Sequence, residues 1–197
     1  VEQYSIVMEM LEIDREIGER VRALRIDGAM TLDDLAERSG VSRAMLSRIE
    51  RGESSPTAQL LNRVCSGLGV TLSTLFAAAG HAPSPLSQRG EQVSWRDPGS
   101  GYVRRVVSPS GTGSPVEMVE VEFPAGASVS FKAYRTGIDQ HVWILEGAME
   151  VTVGATVNRL ETGDCLHMRL DHPIRFRNPF ERPARYVVVL ARAGVGR

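Results

Sequence analysis

Four histidines, two cysteines and a nearly pure arginine complement are the residues of this chain with chemistry to offer. Three of the histidines, His141, His167 and His172, fall in the second half, where two could in principle share a transition metal; a hydrogen-bonded or surface imidazole is the default for each. His81 sits in a segment rich in Gly, Pro and Ser and reads as a solvated linker residue. Cys65 and Cys165 are far apart and in no paired ligand spacing, which points to buried free thiols in a reducing cytosol. Lys132 is the only lysine, so positive charge rests on arginine, whose planar fork suits bidentate contacts with guanine or phosphate.

The elements that must position these groups follow two codes. Ile6, Met10, Ile13, Ile17, Val21 and Leu24 recur at steps of three and four, one stripe of an amphipathic helix ending at Gly28. Thr31, with Asp34 three residues on, opens a short helix that runs to Gly40. Ser42 caps the next helix, which stops at Gly52; a fourth begins near Thr57 and a fifth at Thr71. Ala36 is small enough for two helices to approach, Gly40 falls where a tight turn needs positive φ, and Val41, Leu46 and Ile49 pack the second helix against the first. Residues 79–92 lose periodicity and read as a linker between segments 1–78 and 93–197. Beyond it "VRRVVS", "VEMVEVEF", "ASVSFKAY", "HVWILE", "AMEVTVG", "CLHMRL" and "ARYVVVLA" alternate with period two, the pattern of an all-β sandwich or barrel.

At 197 residues the chain is long enough for two small domains, and its formal net charge of −1 gives no global sign of a nucleic-acid partner. Any such binding must come from a local patch. The acidic start lacks the order of a signal peptide and no apolar run approaches the roughly 18 residues of a membrane span, so a cytoplasmic location is expected.

The stretch Leu35, Ala36, Gly40, Val41, Ser42, followed by Ser47, Ile49, Glu50, Arg51, Gly52 and Pro56, closely resembles the lambda-Cro-like, or XRE, family of helix-turn-helix regulators. The resemblance implies a five-helix bundle whose Ser42–Arg51 helix enters the major groove of double-stranded DNA. Ser42, Arg43, Ala44, Ser47 and Arg48 would face out. Arg43 would span guanine O6 and N7 and Ala44 would offer a methyl contact to thymine. Thr31 would present backbone N–H groups to phosphate. Arg38 and Arg51 fit phosphate or structural roles, and Arg48 and Arg51 could equally be solvated surface charges. Residues 1–80 hold nine arginines against twelve acids, so a single head should bind weakly; a homodimer on a palindromic operator is expected.

"WILEGAMEVTV", "LETGD" and "RFRNP" resemble the cupin fold, a jelly-roll barrel, and a helix-turn-helix head followed by a cupin resembles a class of bacterial transcriptional regulators. The positions that hold a metal in metal-binding cupins fall here on Tyr134, Thr136, Gln140 and Ile174, so no metal or other cofactor is expected. His141 lies one residue from the Gln140 position, on the opposite face if the strand alternates. Tyr134, Thr136, Gln140, Val142, Ile144 and Ile174 would form a mixed apolar and neutral-polar pocket for a small organic effector, or simply fill the barrel. The expectation is a DNA-binding regulator, not an enzyme, with a sensing and dimerising cupin. The alternatives are a metal-dependent cupin enzyme with an accessory head and a cupin that only dimerises.

Overall fold

The computed structural model describes residues 2–76, 84–133 and 137–192, leaving aside the side chains of residues 2–11 and 192. The chain divides into two compact units, Val1–Phe76 and Ala77–Arg197. The first is helical: α1 (Glu2–Asp27), α2 (Leu32–Ser39), α3 (Arg43–Glu50), α4 (Ala58–Leu68) and α5 (Leu72–Leu75). In the second unit a 3-10 turn (Arg89–Glu91) precedes β1 (Ser94–Arg96), β2 (Val103–Val106), β3 (Val116–Phe123), β4 (Ser128–Phe131), β5 (Ile138–Glu146), β6 (Ala148–Val153), β7 (Thr156–Glu161), β8 (Cys165–Arg169), β9 (Ile174–Arg177) and β10 (Ala184–Arg192).

Side-chain hydroxyls start the short helices. Thr31, Ser42, Thr57 and Thr71 each sit in extended conformation and accept a hydrogen bond from the backbone N–H three residues on, satisfying a donor the helix itself cannot. Ile17 and Val21 of α1 join Leu35, Val41, Leu46, Ile49, Leu61 and Val64 in the core. At Gly18 an added Cβ would lie 2.2 Å from the Ile49 carbonyl oxygen, so α1 and α3 approach to a distance that only glycine permits. Gly40 takes the left-handed conformation (φ 64°) that the turn requires. After α1 the left-handed residue is Ala29 (φ 51°) and not Gly28, which instead donates its N–H to the Leu24 carbonyl.

The β unit consists of two sheets, one of six strands in the order β1-β2-β3-β10-β5-β8 and one of four in the order β4-β9-β6-β7. All strand pairs are antiparallel. Strand alternation turns Val119, Val121, Phe123, Val142, Ile144 and Tyr186 of the larger sheet inward, and Val129, Met149, Val151, Leu160, Ile174 and Phe176 of the smaller. Three strands lie outside the seven alternating runs: β1 has three residues, β7 (TVNRLE) buries only Leu160, and β9 (IRFR) has only two apolar residues. Gln92, at the end of the expected linker, accepts a hydrogen bond from Arg105 of β2. Residues 79–83, including His81, lie outside the described residues.

Candidate nucleic-acid interface and interior pocket

The pair α2 and α3 is fixed from three sides. Across the intervening turn, Ser39 Oγ donates to the Leu35 carbonyl (2.6 Å) and accepts from Val41 N (3.2 Å). Arg63 of α4 donates to the carbonyls of Ser39 and Gly40. At the far end of α3, Glu50 receives both edges of Arg25, Nε at 2.6 Å and Nη2 at 2.9 Å, while Arg25 Nη1 donates to the Met30 carbonyl (2.8 Å). The Glu50 carboxylate raises the pKa of Arg25, chiefly through these hydrogen bonds. Asp14, buried in α1, accepts from Ser55 in the segment after α3; burial pushes its carboxyl above the ordinary range, and the Ser55 hydrogen bond opposes the shift.

This frame leaves Ser42, Arg43, Ala44 and Arg48 exposed on one surface of α3, with Leu46 and Ile49 buried behind them and Ser47 half-buried at the edge. Ser42 Oγ accepts from Met45 N (3.3 Å), so its own hydroxyl hydrogen is available to an acceptor. Ser47 Oγ accepts from Arg51 Nη1, and the other edge of Arg51 is held by Glu53 (2.7 and 2.6 Å). Both edges of the exposed Arg51 are thus engaged locally. Arg48 makes no ion pair among the described residues.

Two findings were not legible beforehand. Arg43 Nε lies 3.2 Å from Asp33 Oδ1 of α2, and both side chains are exposed. The contact is made through Nε. The second finding is how fully the Thr31 capping box is bonded. Its N–H donates to Asp34 Oδ2 (2.8 Å), its hydroxyl donates to the same oxygen (2.6 Å), and Asp34 N returns a bond to Thr31 Oγ1 (3.1 Å). The Thr31 side-chain and backbone bonds hold the Asp34 carboxyl below the usual range. Thr31 thus caps α2, with its own N–H and hydroxyl engaged by Asp34.

In the β unit, Gln140, Val142 and Ile144 alternate inward along β5 and are 7%, 0% and 1% exposed; Ile174 enters from β9 at 4%. Tyr134 and Thr136 lie outside the described residues. Gln140 faces Leu190 on one side and Met168 on the other, and no side-chain hydrogen bond among the described residues involves its amide. Tyr186 stacks on Phe176 across the sheets (5.9 Å, 2°), and Phe123, Tyr102 and Trp95 continue the aromatic row. Arg104, 5% exposed on β2, faces Trp95 and Val121, with Asp97 also buried nearby in sequence. Burial raises the hydroxyl pKa of Tyr102 and Tyr186, while the Arg104 charge acts on both in the opposite sense. The interior is therefore more highly charged than the neutral-polar lining expected. The alternation of "VRRVV" leaves open which arginine turns in; the register with β1 and β3 decides it.

The three described histidines face away from this interior, and Cys165, expected to be buried, is exposed on β8 while Cys65 is buried. His141 and His167 are direct cross-strand neighbours on the outer face, their rings 4.8 Å apart, and His167 Nε2 lies 3.0 Å from Asp139. His172 bonds Asp171 (2.7 Å) in an exposed turn. Among the described residues no three His, Cys, Asp or Glu side chains converge as a metal site. A neutral amide at 140 and an aliphatic side chain at 174 do not fit a transition metal.

Comparison with known proteins agrees with both halves of this geometry. The helix-turn-helix family model matches residues 21–75, and the cupin-domain model matches residues 119–190. The chain joins a helix-turn-helix domain of XRE type to a cupin domain. It is 26% identical over 177 residues to the HTH-type transcriptional regulator SutR of Escherichia coli, covering 90% of this chain and 95% of SutR. To the HTH-type transcriptional regulator SinR of Bacillus subtilis it is 38% identical over 61 residues, 30% of this chain and 55% of SinR. A crystal structure of an HTH_3 family transcriptional regulator from Vibrio cholerae superposes with a TM-score of 0.79 at 25% identity, covering 94% of this chain and 99% of that one. The helix-turn-helix domain thus supplies α2 and α3, and the cupin domain supplies the two stacked sheets.

Proposed function

We propose that this chain is a sequence-specific DNA-binding transcriptional regulator that works in the cytoplasm as a homodimer on a palindromic operator. One observation carries the reading. The first turns of α3 expose Ser42, Arg43, Ala44 and Arg48 on a helix that Leu46, Ile49 and the Arg25–Glu50 pair hold rigidly from behind. Such a surface suits insertion into the major groove, with the Arg43 fork on guanine O6 and N7 and the Ala44 methyl against thymine. The names of the similar regulators support the same class. Residues 1–78 form the reading head and 93–197 the cupin, joined by 79–92. The cupin interior around Gln140, Val142, Ile144 and Ile174, with Tyr134 and Thr136, is a sensor pocket for a small organic effector, not a catalytic site. An effector there changes transcription to the extent that its affinity differs between DNA-competent and incompetent states.

Selection of binding sites from random duplexes tests the reading. The wild-type chain should recover a two-fold-symmetric consensus, and Arg43→Ala should lose discrimination at one position per half-site by about 1–3 kcal/mol. Undiminished preference in that variant refutes the groove assignment.

A further inference from the structure

The outside of the six-stranded sheet carries an imidazole pair that neither the reading head nor the barrel interior uses. His141 of β5 and His167 of β8 are direct register partners, both exposed, with ring centres 4.8 Å apart. The planes are tilted by 42°, so the rings do not stack face to face, and His141 makes no hydrogen bond among the described residues. The spacing decides what such a pair can do. A metal–nitrogen bond of about 2.05 Å, plus roughly 1.15 Å from that nitrogen to the ring centre, puts each centre about 3.2 Å from a shared ion. Two rings held this way are about 4.5 Å apart at a right angle about the ion and about 5.2 Å apart at the tetrahedral angle. The observed separation lies between these limits.

We propose that His141 and His167 together bind a divalent transition ion that prefers imidazole, zinc or copper, on the outside of the cupin domain. His167 Nε2 lies 3.0 Å from Asp139 Oδ1, a carboxylate that orients the ring and leaves Nδ1 to ligate. Arg169, two residues along β8, lies 3.7 Å from the same carboxylate with its side chain mostly in water, where its repulsion of an ion is screened. No third His, Cys, Asp or Glu converges among the described residues, so water completes the coordination of an open, exchangeable site. Strand β8 ends the sheet order and hydrogen-bonds to β5, so the ion links an outermost strand to its neighbour through side chains as well as backbone. The site is separate from the buried Gln140 and Ile174 and independent of the regulator reading.

Isothermal titration of the full chain tests the site, after stripping with EDTA and exchange into a buffer that binds no metal. Zinc chloride and copper(II) chloride are the separate probes. A single ion per chain should bind with micromolar affinity, copper more tightly than zinc, and magnesium should give no binding heat. His141→Ala and His167→Ala should each weaken copper binding at least about 10-fold, because the chelate needs both rings. The double variant should be little weaker than either single one. His172→Ala, in the exposed turn, should leave the affinity unchanged. Electron paramagnetic resonance of the copper-loaded chain should report two imidazole nitrogens in the wild type and one in each single variant. Zinc should raise the melting temperature of the wild type and not that of His141→Ala, whose metal-free melt checks that the exposed substitution leaves the fold intact. No saturable binding of either ion, a wild-type copper signal with fewer than two imidazoles, or an affinity that survives loss of His141 or His167 overturns the inference.

Discussion

Replacing Glu50 with glutamine isolates what holds the reading helix in place. The substitution keeps the shape of the side chain and removes its charge, leaving the Arg25 guanidinium with its Met30 carbonyl contact but without a carboxylate. The two side chains are 14% and 7% exposed, so the ion pair is largely withdrawn from water. Breaking one partner of such a pair costs about 3–5 kcal/mol, because the remaining charge stays desolvated. The Met30 bond and some solvent access at Arg25 place the expected loss near the lower end, about 3 kcal/mol. Urea denaturation followed by two probes reads it. Circular dichroism at helical wavelengths follows the helix-turn-helix domain, whereas both tryptophans, Trp95 and Trp143, lie in the cupin domain. With a urea slope of about 1 kcal/mol/M for so small a domain, the helical midpoint should fall by roughly 2–3 M while the tryptophan transition stays in place. The double variant Arg25→Met, Glu50→Met should recover most of the loss, since it leaves no unpaired charge. A loss below about 1 kcal/mol in Glu50→Gln, or a double variant as unstable as the sum of the singles, refutes the reasoning.

Other perturbations probe separate features. Leu35→Ala, at a fully buried position between α2 and α4, should destabilise the helical domain by about 2–5 kcal/mol in the same circular-dichroism experiment. Asp14→Asn should stabilise that domain at neutral pH. A carboxyl whose pKa is raised on folding lets the native state bind more protons, so stability declines as pH rises from the ordinary aspartate range through the raised folded value. The advantage of the variant should therefore vanish in acid, as a pH series of melts will show. Gln140→Leu should leave cupin stability within about 1 kcal/mol of wild type, because it removes a buried amide that no described side chain bonds, and it should abolish any effector-induced rise in melting temperature.

Local chemistry was readable from the chain, and long-range pairing was not. Thr31, Ser42, Thr57 and Thr71 start helices because a hydroxyl and the backbone three residues on are neighbours in sequence. Val41, Leu46 and Ile49 follow from helical spacing, and the long alternating strands from their pleat. Arg25 gave no sign of its role, because Glu50 is 25 residues away and only the α1–α3 crossing at Gly18 brings them together. At Thr31 the capping box was legible because Asp34 lies three residues on. β1, β7 and β9 lie outside the seven runs because three residues show no period, a strand with one buried side chain shows no alternation, and IRFR offers only two apolar residues. The outward turn of His141 was legible from pleating alone, whereas its pairing with His167 needed the β5–β8 register.

The tether between Asp33 and Arg43 bears on how a head with more acids than arginines selects a sequence. An arginine bound to a neighbouring carboxylate gives little to phosphate, which any duplex offers, and keeps its terminal fork for a base edge. On the proposed groove reading, affinity for random DNA would thereby be reduced while the guanine contact keeps its geometry. Asp33→Asn should invert this balance. Removing one negative charge beside the backbone of the duplex should strengthen binding to random DNA and steepen its dependence on log salt by roughly one contact. The gain at the selected operator should be smaller, because the guanidinium loses its fixed pose. The ratio of operator to random affinity, measured by fluorescence anisotropy at two salt concentrations, should fall. If Asp33→Asn strengthens both equally, the carboxylate acts only through net charge and does not position Arg43.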